Sequence, residues 1–129
     1  MLDAMCDECF PPDYWTARFK FTEGWYWVAF DADQPVAFAG SRPSGWYTNA
    51  VYLSIAGVAK THRGLGLQKR LIRKRVAHAR SIGARFAMSE TLNDNAPSMN
   101  NLIACGFRAF EPRVKWGNDS AVYWRKALA

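Results

Sequence analysis

One change of periodicity constrains this chain more than any other feature. Val51 to Val58 reads as a strand, but past Arg63 the apolar spacing becomes helical, with Leu67, Leu71, Ile72, Val76 and Ala79 on one face and Arg70, Arg73, Lys74 and Arg80 largely on the other. Gly83 marks the helix exit, and Ala84 to Glu90 makes a further strand. Strand, glycine loop, helix and strand in that order form a right-handed crossover, so the two strands pair in parallel.

The rest of the chain is laid around this unit. At 129 residues it has the length of one domain with a single core. Phe19 to Phe30, Pro35 to Gly40 and Val51 to Val58 read as an antiparallel meander, with Asp31 to Gln34 as the first turn. Residues 2 to 10 suit a short helix that ends before Pro11-Pro12. After the crossover, Ser98 to Cys105 reads as a second helix with Pro97 near its start and Gly106 as its end signal. Phe107 to Trp116 and Ser120 to Lys126 read as closing strands joined by a Gly117-Asn118-Asp119 turn.

Composition excludes several classes. Half of the residues are hydrophobic, yet no run approaches the roughly eighteen consecutive apolar residues of a membrane helix. The acidic start, Met1 to Glu8, lacks the features of a secretory signal, which leads us to expect a cytoplasmic protein with no membrane partner. The three cysteines, Cys6, Cys9 and Cys105, make no disulfide framework. Cys6-x-x-Cys9 lacks a second ligand pair, and His62 and His78 lack finger spacing, so no metal is expected. The net charge of +6 suits an anionic ligand without choosing which.

The loop Arg63-Gly64-Leu65-Gly66-Leu67-Gln68 can choose. Its glycines lie where a strand hands over to a helix, so backbone N–H groups and the helix dipole can close around an anion. Arg63 and Lys69 can add charged contacts, which favours a diphosphate. The same short pattern also serves as a plain tight turn. A P-loop is excluded because Arg70 follows Lys69. A dinucleotide fold has Glu90 in its favour, but Lys69 replaces the third glycine and there is one crossover unit only.

The order of elements, with Val58 to Gly66, resembles the GNAT N-acetyltransferase family, whose pyrophosphate motif is Gln/Arg-x-x-Gly-x-Gly/Ala. Arg63, Gly66 and Gln68 occupy its defined positions, Gln68 departing from the last. Glu90, Asn95, Ser98 and Gly106-Phe107 match a second family stretch in register, and the similarity runs from about Trp25 to the C-terminus. The resemblance implies an α/β (α+β) fold with a mixed, mostly antiparallel sheet and a central parallel crossover. It would be acyl-CoA N-acyltransferase-like, shortened at its N-terminus, and one domain over residues 1–129.

It also implies acetyl-CoA as co-substrate and a small-molecule or peptide amine as acceptor. The strands flanking the crossover splay, and the pantetheine arm would bond to Ala56 and Val58 as an added strand, with Gly57 permitting a bulge or close approach. The pyrophosphate would lie on Arg63, Gly64, Leu65, Gly66, Leu67, Gln68 and Lys69. Asn95 would bond the cofactor arm or cap the helix at Ser98. An amine attacks the thioester directly. Glu90 is the first candidate base and Ser54 a relay, while Tyr123, Tyr52 or water would protonate the thiolate, since Leu102 replaces the family's tyrosine. The shortened N-terminus leaves room for a partner subunit in a homodimer.

Two rival readings remain. One is an acyl-CoA binder without catalysis. The other is a nucleic-acid module built on Arg70, Arg73, Lys74, Arg75, His78 and Arg80 beside six tryptophans, against which a solvated helix face is the simpler account. Trp25, Trp27, Trp46, Tyr47 and Tyr52 are expected to divide between core and cleft, because strand alternation places only some on any face.

Overall fold

A meander leads into the crossover. The computed structural model describes residues 24–128, and the expected N-terminal helix, Cys6, Cys9 and residues 19 to 23 of the first expected strand lie outside them. Strand β1 (Trp25–Asp31) turns through Ala32 at φ 52° into β2 (Gln34–Pro43), which pairs with β3 (Ala50–Val58). Helix α1 (Leu67–Ser81) then crosses to β4 (Phe86–Leu92), followed by α2 (Ala96–Ala104), β5 (Arg108–Phe110) and β6 (Ala121–Ala127). The six strands lie in the order β1-β2-β3-β4-β6-β5, and β3 with β4 is the parallel pair among antiparallel neighbours. The expected mixed, mostly antiparallel sheet with a central parallel crossover is what forms.

The apolar stripe of α1 does what its spacing demands. Leu71, Ile72, Val76 and Ala79 are buried, and Ile72, Val76 and Ala79 pack with Val51 and Leu53 of β3, Ala87 of β4 and Trp124 of β6. Burying each large side chain contributes about 1.5–3 kcal/mol. Leu102 of α2 and Phe107 join the same core. Alternation sends Val36 and Phe38, both buried, to the opposite sheet face from Ala37 and Ala39, which pack on Leu71.

Three expectations change. The bulge in the meander is not at Gly57, which pairs regularly with Phe38, but at Ser54 and Ile55 opposite Gly40. Gly40 permits it because a Cβ there would meet Tyr26 at 2.7 Å and Ser54 Oγ at 2.9 Å. The strand expected over Phe107 to Trp116 stops at Phe110. Pro112 is buried beyond it and has no N–H for a ladder, and Trp116 folds away onto other aromatic rings. The Gly117 to Asp119 turn is therefore the end of a longer loop, closed by Ser120 N–H donating to Asn118 Oδ1 over 2.9 Å.

The third concerns the basic helix face. Arg70, Arg73, Lys74 and Arg80 are exposed as expected, but Arg75 is 3% exposed. Its guanidinium donates to the Leu71 carbonyl at 3.2 Å and to the Gly40 carbonyl at 3.1 Å. Burial pushes its pKa down to about 10, which leaves it charged at neutral pH. His78 is half-buried against Trp25 and Trp27, with ring centroids 4.7 and 5.3 Å away.

Candidate functional site

Strands β3 and β4 stay together for only three residues each. Ala50, Val51 and Tyr52 pair with Phe86, Ala87 and Met88, and Ser89 Oγ then donates to the Leu53 carbonyl at 3.1 Å. Beyond this point the ladder ends, and the strands diverge toward Val58 and Leu92. The backbone of β3 is thereby left with one free side. Ala59 N–H donates to the Val36 carbonyl at 2.8 Å, so by strand alternation Gly57 faces β2 while Ala56 and Val58 turn their N–H and C=O groups into the cleft. The Val58 carbonyl accepts from Arg63 Nε at 3.2 Å, which folds the arginine back along the cleft edge.

The glycine loop stands at the mouth of this opening. Gly64 and Gly66 have φ of 80° and 79°, and a Cβ added at either meets nothing within 4 Å. Glycine adopts this left-handed backbone without strain, and the open space on the Cβ side leaves room for a close ligand. Gly66 caps α1 without a side-chain bond, and the first helical donor is Arg70 N–H to the Gly66 carbonyl at 3.1 Å. The N–H groups of Leu67, Gln68 and Lys69 have no acceptor within the helix, and the positive end of the helix dipole adds to them. Behind the loop, His62 Nε2 lies 2.9 Å from Asp31 Oδ2 and ties it to β1.

Gln68 faces away from the loop. Its Nε2 donates to Ser98 Oγ at 3.2 Å and its Oε1 accepts from Asn101 at 2.9 Å, joining the start of α1 to α2. This accounts for glutamine where the motif has a small residue. Asn95 is the N-cap of α2, with Oδ1 accepting from Ser98 N–H at 3.3 Å, so the capping role is present.

Across the sheet, on the face opposite α1, Tyr52 donates to Glu90 Oε1 at 3.0 Å. Glu90 Oε2 lies against the Gly117 backbone, close enough that a Cβ there could not fit. Gly117 N–H donates to the Tyr123 hydroxyl at 2.8 Å. Burial first, then the charge and hydrogen bond of Glu90, push the Tyr52 pKa well up. Tyr123 is therefore brought to Glu90 through Gly117, whereas Ser54 sits against Gly40, with no hydrogen bond to Glu90 among the described residues. Leu102 is 5% exposed and packs in the core.

The expected aromatic set divides in two. Trp25 and Trp27 serve the α1 side, while Trp46, Tyr47 and Tyr52 gather around Trp116, a residue that sequence reasoning missed because it sits in an apparent strand. Trp116 stacks on Trp46 at 5.1 Å and 17° and meets Tyr123 edge-on at 4.6 Å. Its buried indole N–H lies against the Tyr52 oxygen and opposes the rise in that pKa. Among the described residues, no group of histidines, cysteines and acids is placed to hold a metal, and no helix is long and apolar enough to cross a membrane.

Comparison with known proteins agrees with this geometry. No curated protein matches the chain by sequence. A candidate streptothricin acetyltransferase of Bacillus anthracis, solved with acetyl coenzyme A, superposes at TM-score 0.70 with 26% identity. The match covers 83% of this chain but 64% of that one, so the chain spans less than two thirds of that relative's length. A Bacillus subtilis acetyltransferase solved with CoA shares the fold at TM-score 0.79 and 15% identity, covering 98% of this chain and 93% of its own. The ribosomal-protein-S18-alanine N-acetyltransferase of Escherichia coli does so at 0.76 and 15%, covering 98% and 84%. The model of the acetyltransferase (GNAT) family matches residues 2–107, and the chain belongs to that family.

Proposed function

We propose that this chain, as one domain over residues 1–129, transfers the acetyl group of acetyl-CoA to a primary amine of a small-molecule or peptide acceptor. The observation that carries the reading is the meeting of three features at one cleft. These are the open glycine loop, the free edge of β3, and Glu90 on the diverging arm of β4.

The residues present fit the co-substrate. Arg63, Gly64, Leu65, Gly66, Leu67, Gln68 and Lys69 would hold the pyrophosphate, chiefly through backbone N–H groups, and Gly66 leaves the space it needs. Ala56 and Val58 would bind the pantetheine arm as an added strand, with Gly57 between them turned to β2. Asn95 and Ser98, already engaged with each other, would form the facing wall. Acetyl-CoA supplies an activated thioester carbonyl. The Val58 N–H, directed into the cleft, would stabilise the oxyanion. Glu90 would take the proton that the attacking amine loses, directly or through water. Tyr123 would return a proton to the thiolate, although a thiol whose pKa is about that of cysteine, roughly 8.5, also leaves as its anion. Ser54 is the weaker relay.

A screen for thiol release across amines, aminoglycosides, polyamines and peptides tests the proposal. At least one acceptor should release thiol in step with its own acetylation, and Glu90→Gln should slow that rate and change its pH profile. Acetyl-CoA binding without release from any acceptor would favour the second reading, a binder without catalysis, which Leu102 in place of the family's tyrosine supports. The nucleic-acid reading is weakened by the withdrawal of Arg75 and His78 from the basic face.

A further inference from the structure

Both oxygens of Glu90 are placed by neighbours, and each neighbour has a different effect. The Tyr52 hydroxyl directs its hydrogen at Oε1 over 3.0 Å. The indole N–H of Trp116 lies against the same phenol oxygen, with the two rings edge-on at 6.2 Å. A donor on that side repels the phenol hydrogen, so the hydroxyl has one favourable direction, toward the carboxylate. Trp116 is itself fixed, stacked on Trp46 at 5.1 Å and edge-on to Tyr123 at 4.6 Å. The other oxygen is placed by a missing side chain. The backbone of Gly117 is not left-handed, so its conformation alone does not call for glycine. Space does, because a Cβ there would run into Glu90 Oε2 and lie 3.1 Å from the Tyr123 hydroxyl. Oε2 and that hydroxyl therefore converge over one bare Cα. The Tyr123 oxygen accepts from Gly117 N–H at 2.8 Å, and its own hydrogen has no acceptor among the described residues.

We infer that Tyr52 is a positioning residue for Glu90, which occupies Oε1 so that Oε2, over the bare Gly117, is the oxygen presented to the attacking amine. The inference goes beyond the proposed transfer reading and rests on it. It also removes Tyr52 from the hydroxyls that could act as proton donor, since its hydrogen is already engaged. As the amine nitrogen bonds to the thioester carbonyl carbon, the proton it loses goes to Oε2. The sulfur leaves with the electrons of the C–S bond and takes its proton from Tyr123 or water.

Two measurements on the full chain test it. The first is NMR at neutral pH with tyrosine isotope-labelled at Cζ, the Tyr52 resonance being assigned by its loss in Tyr52→Phe. A phenol bonded to a carboxylate has its Cζ resonance downfield, so Glu90→Gln should move that of Tyr52 upfield. An unmoved resonance would overturn the inference, because the two side chains would not be in contact. The second is thiol release from acetyl-CoA with the acceptor that the screen shows to be fastest. Tyr52→Phe should lower kcat between about tenfold and a hundredfold while KM for acetyl-CoA stays within about twofold. In the Glu90→Gln background the same substitution should change kcat by less than about twofold, because its effect passes through the carboxylate. An unchanged kcat in Tyr52→Phe, or losses that multiply in the double variant as they would for an independent proton donor, would overturn the inference. Failure of the wild type to bind acetyl-CoA or release thiol counts against the transfer reading, whereas the Cζ resonance, which requires no cofactor, still decides whether Tyr52 holds Glu90.

Discussion

Tyr52 and Glu90, which lie 38 positions apart on the two diverging strands, are joined by a 3.0 Å hydrogen bond from the phenol to the carboxylate. The bond exists only while the phenol keeps its proton, and its burial holds the pKa well above the ordinary value. An unfolded tyrosine ionises near 10, so above about pH 10 the unfolded chain binds fewer protons than the folded one. Stability must then fall as pH rises through this window, by up to about 1.4 kcal/mol per pH unit for this one group. Urea unfolding between about pH 9 and 12 should show that slope in the wild type and a shallower one in Tyr52→Phe. Equal slopes would remove the coupling.

Gln68 is expected to matter for stability. Gln68→Ala removes the bonds to Ser98 and Asn101 that join the start of α1 to α2, each worth about 0.5–1.5 kcal/mol. The two together are worth about 1–3 kcal/mol, so the melting temperature should drop by about 3–15 °C. An unchanged melt would mean that the two helices are positioned by their apolar contacts alone.

Arg75 is a second position where the obvious conservative change should fail. A lysine ammonium lacks the planar fork needed to reach both the Leu71 and Gly40 carbonyls. Arg75→Lys should cost about 1–3 kcal/mol, read from the shift of the urea midpoint. A midpoint within error of the wild type would show that the bond at the bulge contributes little.

The parts of the fold that are legible in the sequence are those set by local pattern. The switch of period after Arg63 marks the crossover, and the paired glycines with their register to Glu90 and Asn95 mark the cleft. What stays hidden depends on tertiary packing. Phe107 to Trp116 has the composition of a strand, but Pro112 breaks the ladder and the stacking of Trp116 on Trp46, 70 positions away, draws the segment into a loop. Arg75 reads as part of a solvated face, but the Gly40 carbonyl beside the bulge gives its guanidinium a buried partner. Gln68 breaks a motif because its contacts, Ser98 and Asn101, lie on another helix.

The central claim is that the loop from Arg63 to Lys69 holds acetyl-CoA, and calorimetric titration of the wild type beside Gly66→Asn tests it most directly. Asparagine tolerates positive φ, and the space beyond Gly66 is open, so the variant should keep its fold and its melting temperature. The wild type should bind one acetyl-CoA per chain in the sub-millimolar range, with affinity weakened about tenfold or more in the variant, whose side chain fills the cradle. No heat of binding from the wild type at millimolar acetyl-CoA, or equal affinity in both proteins, would contradict the account.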